Sequence, residues 1–129
     1  MNVKTHIEAN ADLIGKPLTV KDNEESTVEL TAKEEMVVDS RGLIHGGFTF
    51  GLADYAAMLA VNHPNVVLGS AQVRFLAPVK VGDRMIAKAR VVEYKDNRRK
   101  AEVEVYVRDL KVFTGTMTCY VLEQHVLDR

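Results

Sequence analysis

The distribution of apolar and polar positions divides the chain into three stretches. In the first, residues 5–14 (THIEANADLI) predict a short helix that Gly15 and Pro17 end. Residues 17–22 and 26–38 read as strands around the polar tip Asp22-Asn23-Glu24-Glu25. The second stretch, residues 47–62 (GFTFGLADYAAMLAVN), is rich in Ala, Leu and Met and stops before Pro64, which predicts a helix of about four turns. In the third stretch the period changes to two. Residues 66–77 open on an apolar run and end in QVRFLA, and residues 84–94 follow the turn Val81-Gly82-Asp83. Across 101–107, Ala101, Val103, Val105 and Val107 face one way, and Glu102, Glu104 and Tyr106 the other. Lys95-Asp96-Asn97-Arg98 and Arg108-Asp109-Leu110-Lys111 read as hairpin turns, and residues 112–122 as the last strand. One helix followed by long antiparallel strands is an α+β arrangement, in which the helix needs a sheet to cover it.

The predicted helix is apolar on every side. At about 100° per residue, Gly47, Phe50, Met58 and Val61 fall within about 40° of Asp54, while Phe48, Leu52, Tyr55 and Leu59 lie opposite. Such a helix is buried. The charges sharpen this. Of 17 basic and 18 acidic residues, only Asp54 falls among the 32 residues between Arg41 and Arg74. An ionised carboxylate on an apolar stripe is costly unless it is paired, hydrogen-bonded or facing a solvated cleft. One reading is structural, an Asp that caps a loop amide or pairs with an Arg. The other is chemical, a carboxylate whose reactivity is set by a dry site.

Composition bounds the rest. A chain of 129 residues with 47% hydrophobic content suits one domain, residues 1–129, with a real core. A net charge of −1 lacks the basic excess of a nucleic-acid binder. The single cysteine, Cys119, excludes an internal disulfide framework, and His6, His63 and His125 lack metal-ligand spacing. The opening residues MNVKTHIEANADLIG do not resemble a signal peptide, and the helix is too short for a comfortable bilayer span. The expectation is a cytoplasmic enzyme or binding module with no metal, cofactor, nucleic-acid or membrane partner. Cys119 reads as a small packed hydrophobe and Tyr55 as core.

Gly42-Leu43-Ile44-His45-Gly46-Gly47 leads into the helix. Two glycines there allow close approach by a ligand or tight packing against a sheet. First-turn N–H groups lack intrahelical partners and sit at the positive end of the dipole, where they suit a developing oxyanion. Asp54 would lie about 10 Å along the axis from that terminus. That is too far for both to act on one carbonyl within one chain, so a shared site needs a second subunit.

His45-Gly46-Gly47-Phe48-Thr49-Phe50-Gly51-Leu52-Ala53-Asp54 resembles the HGG-x₅-LAD signature of hotdog-fold acyl-CoA thioesterases, nearest the phenylacetate-pathway type. The likeness spans roughly residues 16–122 and includes Arg74-Phe75-Leu76-Ala77-Pro78-Val79-Lys80-Val81-Gly82-Asp83. It implies a long antiparallel sheet around one central helix, a homodimer or dimer of dimers, and active sites at the subunit interface. The resemblance implies an acyl-CoA substrate, with the Gly47 N–H polarising the thioester carbonyl. Asp54 from the partner chain would act as nucleophile or general base, and His45 would place the thioester or hold the loop.

One position departs from the pattern. The family's Asn six residues before the His is here Asp39, which accepts hydrogen bonds but does not donate when ionised. Asp39 either shares the chemistry or caps the Ser40-Arg41-Gly42 turn. A second hotdog branch, resembling 4-hydroxybenzoyl-CoA and short acyl-CoA thioesterases, places its catalytic Asp in this loop. Gly46, Phe48, Phe50, Met58, Arg74 and Phe75 are candidates to contact substrate, though core packing competes for the apolar ones. Arg98-Arg99-Lys100, Lys80 and Arg84 are candidates for coenzyme A phosphates or for solvated surface. Two rivals stand beside hydrolysis: a hotdog module that binds acyl-CoA without chemistry, and a hydratase or dehydratase. For the latter, Asp39-Ser40-Arg41-Gly42-Leu43-Ile44-His45 lacks the Asn-Pro of the D-x-N-P-x-H pattern.

Overall fold

The computed structural model describes residues 1–129. The strand-like stretches form β1 (Lys16–Lys21), β2 (Glu25–Thr31), β3 (Val66–Phe75), β4 (Arg84–Lys95), β5 (Arg98–Val107) and β6 (Leu110–Val121). The apolar stretch forms one long helix, α2 (Gly46–Val61), after a single-turn helix, α1 (Ala11–Ile14). The six strands make one antiparallel sheet in the order β1-β2-β4-β5-β6-β3. This is the hotdog fold, a single sheet curled around one central helix. No helix is long and apolar enough to cross a membrane.

The sheet's inner row explains the helix's composition. Val28, Met85, Ala87, Val103, Val105, Phe113 and Met117 are buried, and they meet Leu52, Ala53, Ala56, Leu59 and Ala60 of α2. Ser26 is the polar exception, and its hydroxyl donates to the Ala56 carbonyl at 2.6 Å. Alternation carries the charged residues outward. Cross-strand rows such as Thr27-Lys88-Glu104-Thr114-Arg74 line the outer face.

Several boundaries differ from the sequence reading. Residues 5–10 are turns, and the helix covers only Ala11–Ile14, because Asn10 caps the Asp12 N–H there and starts the helix late. The second strand ends at Thr31, where the chain leaves the sheet for a 3₁₀ turn at Glu34–Met36 that buries Met36. The fifth strand starts at Arg98, because Asp96 takes the left-handed conformation (φ 54°) and Asp96-Asn97 alone makes the turn. The 108–111 turn likewise tightens onto Arg108, also left-handed.

The helix's C-terminus is anchored by a residue that periodicity does not reveal. Asn62 caps α2 in the left-handed conformation and is 3% exposed. Its Oδ1 accepts from the Lys4 backbone N–H at 2.8 Å, and its Nδ2 donates to the Asn2 carbonyl and to Asp22 Oδ1. Lys4 closes the ring by pairing with Asp22. The first residues of the chain therefore strap the end of the helix, with the His6 ring 5.8 Å from that of Tyr55.

Candidate functional site

The site is built around the N-terminal half of α2. Gly46, Gly47, Phe48, Phe50, Gly51 and Asp54 are the helix positions left partly or fully exposed, whereas every residue from Tyr55 to Val61 is buried. His45 is the N-cap. It has extended backbone angles (φ −65°, ψ 132°), and its Nδ1 accepts from the Gly47 N–H at 2.8 Å. The His45 N–H donates to the Met36 carbonyl at 2.9 Å, which fixes the loop that leads in. Gly47 is required by this arrangement, since a Cβ there would stand 2.7 Å from His45 Nδ1. The imidazole thus caps the helix start, and it occupies the N–H that the resemblance assigns to a substrate carbonyl.

Asp54 lies two turns along the same helix. Its Oδ1 is buried with no hydrogen-bond partner, so the sequence-derived options of an Arg partner or a loop amide at that atom are not realised. Loss of water around the carboxyl pushes its pKa up from 3.8 to about 6, because desolvation disfavours the charged form. Cys119 of β6 is its neighbour. Burial first, and then the Asp54 charge, push that thiol up to about 12, so Cys119 is an inert packed thiol rather than a nucleophile.

A cleft of about 400 Å³ opens beside the helix start, lined by residues that include Leu43, Gly46, Thr49, Phe75, Leu76 and Pro78. Phe75 is 56% exposed and stands edge-on to buried Phe113, ring centroids 5.2 Å apart. Its ring also lies against Gly46, where a Cβ would come within 3.2 Å of Cε1. Phe50 meets Phe113 from the helix side at 6.5 Å, and Phe48 stands edge-on to His45 at 6.4 Å. The chain therefore gathers His45, Gly46, Gly47, Phe48, Phe50 and Phe75 around the start of the helix, with Asp54 two turns along it.

Other sequence candidates lie apart from this cluster. Met58 is 1% exposed and belongs to the core. Arg74 neighbours Phe75 in sequence but projects from the opposite face of the sheet, where it lines a polar groove with Lys88, Arg90, Glu102 and Glu104. Asp39 is exposed, and its Oδ1 accepts from the Arg41 and Leu43 N–H groups at 2.9 and 3.2 Å, an Asx-type cap of the loop. The basic run is tied into its own hairpin. Arg98 and Lys100 pair with Glu93, and the Arg99 guanidinium lies 4.8 Å from the centre of the Tyr94 ring. Arg84 pairs with Glu29.

Gly51 also lies on the exposed part of the helix, a position the sequence reading did not single out. Its only signal is the type itself, a glycine in a helix interior, which costs helix stability.

Relatives agree with the fold and differ in what they are named for. The chain is 52% identical over 115 residues to methylthioribose-1-phosphate isomerase of Aquifex aeolicus, covering 89% of this chain and 25% of that protein. It is 26% identical over 119 residues to the transcription factor FapR of Caldanaerobacter subterraneus, covering 92% of this chain and 60% of that one. The chain thus spans between a quarter and about three fifths of these relatives' lengths. Among solved structures, the uncharacterised protein PH1136 of Pyrococcus horikoshii superposes with a TM-score of 0.96 at 53% identity, over 99% of this chain and 98% of that one. A mutant of the phenylacetic acid degradation protein PaaI of Thermus thermophilus superposes with a TM-score of 0.77 at 29% identity, over 87% and 97% of the two chains. A sequence model of the thioesterase superfamily matches residues 41–114, more than half of the chain and the part that carries the glycine-led helix and its lone carboxylate. The chain belongs to the thioesterase superfamily.

Proposed function

We propose that this chain is an acyl-CoA thioesterase of the phenylacetate-pathway type, with Asp54 as the general base. The observation that carries the reading is the Asp54 carboxyl, partnerless at Oδ1 and raised to about 6 on an otherwise apolar helix. A carboxylate of raised pKa is a stronger base and is still ionised at neutral pH. It takes a proton from water as the water oxygen attacks the thioester carbon. The carbonyl oxygen becomes negative and accepts the Gly47 N–H, displacing His45 Nδ1 from the position it holds in the free chain. Collapse breaks the C–S bond, and the departing thiolate takes the proton from Asp54. The products are the free acid and coenzyme A.

The two groups act across a dimer. Gly47 and Asp54 are about 10 Å apart along one helix axis, too far for one carbonyl. Strand β3 is a sheet edge, with one row of backbone donors and acceptors free to pair with a second copy. In this reading Gly47 of one protomer faces Asp54 of the partner subunit, and His45 and Asp39 hold the loop between them.

The test is thiol release across a panel of acyl-CoA thioesters. Wild type is expected to turn over at least one class of them, and Asp54→Asn to lose that activity. Full activity in Asp54→Asn removes the assignment. Hydrolysis in ¹⁸O-labelled water under single-turnover conditions separates base from nucleophile. A base puts the label into the acid at once, whereas a nucleophile whose anhydride is opened by water at the Asp54 carbonyl leaves an unlabelled first product and a labelled Asp54.

The likeness to FapR favours a second reading, in which the cleft binds an acyl-CoA as a signal and does no chemistry. Tight binding with no turnover of any thioester would select it.

A further inference from the structure

Seven of the chain's eight glycines have a reason within the chain. Gly15, Gly42 and Gly82 adopt φ of 119°, 83° and 93°, which side chains rarely tolerate. Gly46, Gly47, Gly69 and Gly115 are held so closely that a Cβ would come within 3.2 Å of a neighbour. Gly51 has neither reason. Its φ is not positive, and a Cβ would meet nothing within 4 Å. Yet it sits mid-helix, where alanine is better in every respect that concerns this chain alone.

The surroundings of that vacancy are informative. Gly51 lies one turn before Asp54 and about 60° from it around the helix, within the stripe that the sheet leaves open. Phe50 bounds the stripe on one side and Phe48 on the other, both half-buried. A base must keep water and the reacting carbon within reach. Filling this room with a second copy's side chain would seal the Asp54 carboxyl away from both. Open space beside the carboxyl suits an acyl group that enters and leaves.

We propose that Gly51 is the specificity-determining residue of the site. Its missing side chain makes room beside Asp54 for bulk on the acyl group next to the thioester carbon, that is, for branched or ring-bearing acyl groups over straight ones. The proposal rests on the thioesterase reading above. Phe48 and Phe50 flank the position and Asp54 follows one turn on, so the missing side chain discriminates by shape near the carbonyl and not by chain length.

The experiment compares wild type, Gly51→Ala and Gly51→Val on butyryl-, hexanoyl-, isobutyryl- and benzoyl-CoA. Gly51→Val is expected to lower kcat/KM for the isobutyryl and benzoyl thioesters at least about tenfold more than for the straight ones, with Gly51→Ala in between. Melting temperature should hold or rise in Gly51→Ala, which distinguishes a kept vacancy from a packing requirement. An equal loss on all four thioesters, or no loss on any, overturns the proposal. So does dissociation of a wild-type dimer by Gly51→Val on size-exclusion chromatography, which would assign the room to a second copy. If wild type cleaves none of the four, the hydrolytic reading fails separately, and calorimetric binding of the same thioesters decides the slot. Selective loss of the branched and aromatic ligands in Gly51→Val upholds it, and unchanged binding removes it.

Discussion

The two halves of α2 have one backbone and opposite fates. From Tyr55 to Val61 the helix is sealed on all sides by the sheet and the N-terminal strap, and Asn62 ties its end to Lys4, Asn2 and Asp22. From Gly46 to Asp54 it carries three glycines, an exposed start and a carboxyl oxygen with no partner. The first half satisfies every rule of a stable buried helix. The second breaks several of them, with glycine in the interior, a cap made by histidine and a desolvated acid. A helix anchored at one end tolerates such defects at the other. Their concentration within three turns of one face coincides with the site proposed above, and stability given up there is what a working site would cost.

The comparison is sharpened most by Asp54→Asn. Thioester hydrolysis should fall about 10²–10⁴-fold if Asp54 is the base. The same change should stabilise the fold at pH 7 by up to about 3 kcal/mol, the energy of moving a carboxyl pKa from 3.8 to about 6. The sign is fixed by the direction of the shift. A raised folded-state pKa means that the folded protein binds the extra proton, so wild-type stability falls as pH rises from about 4 to about 6 and then levels off. The gain of Asp54→Asn should therefore vanish below about pH 4 in denaturant melts. Wild-type kcat/KM should rise through about pH 6 as the base ionises. A gain that persists at pH 3 would show that the charge is not its source.

Next in size is Asn62→Ala, which should lose about 2–4 kcal/mol. It leaves a backbone N–H, a carbonyl and a carboxylate oxygen short of partners and puts alanine in the left-handed region. Activity per folded molecule should be retained, because the lesion lies in the anchored half. A proportionate loss of kcat would show that the halves are coupled. The open half responds the other way. Gly51→Ala should raise stability by about 0.5–1 kcal/mol in chemical denaturation, since nothing there obstructs a methyl group. The smallest effect is expected of Asp39→Asn. The amide oxygen keeps the bonds from Arg41 and Leu43, so stability should stay within about 0.5 kcal/mol and activity nearly unchanged. Loss of activity there would move the chemistry from the helix into the loop before it.

Much of this was legible in the chain itself. Strict alternation over Ala101–Val107 named the inner face of β5, because a pleated strand sends successive side chains to opposite sides. Asp54 stood out because no other formal charge falls between Arg41 and Arg74. Asn62 was invisible, because its left-handed cap and its partners at Asn2, Lys4 and Asp22 are far apart in sequence. Phe75 and Arg74 looked alike as neighbours, yet one lines the cleft and the other the outer groove.

Sequence alone determined the central helix and the long strands that follow it, the lone carboxylate and the glycine-led start of that helix, since each depends on residues within a few turns of one another. Tertiary structure decided the rest. It set β3 beyond β6 at the sheet's edge, gave the Gly47 N–H to His45, left Asp54 Oδ1 without a partner and placed none of the chain's own atoms over Gly51. The physical reason is that periodicity reports which side chains share a face, whereas which part of a face stays uncovered depends on pairings between residues remote in the chain.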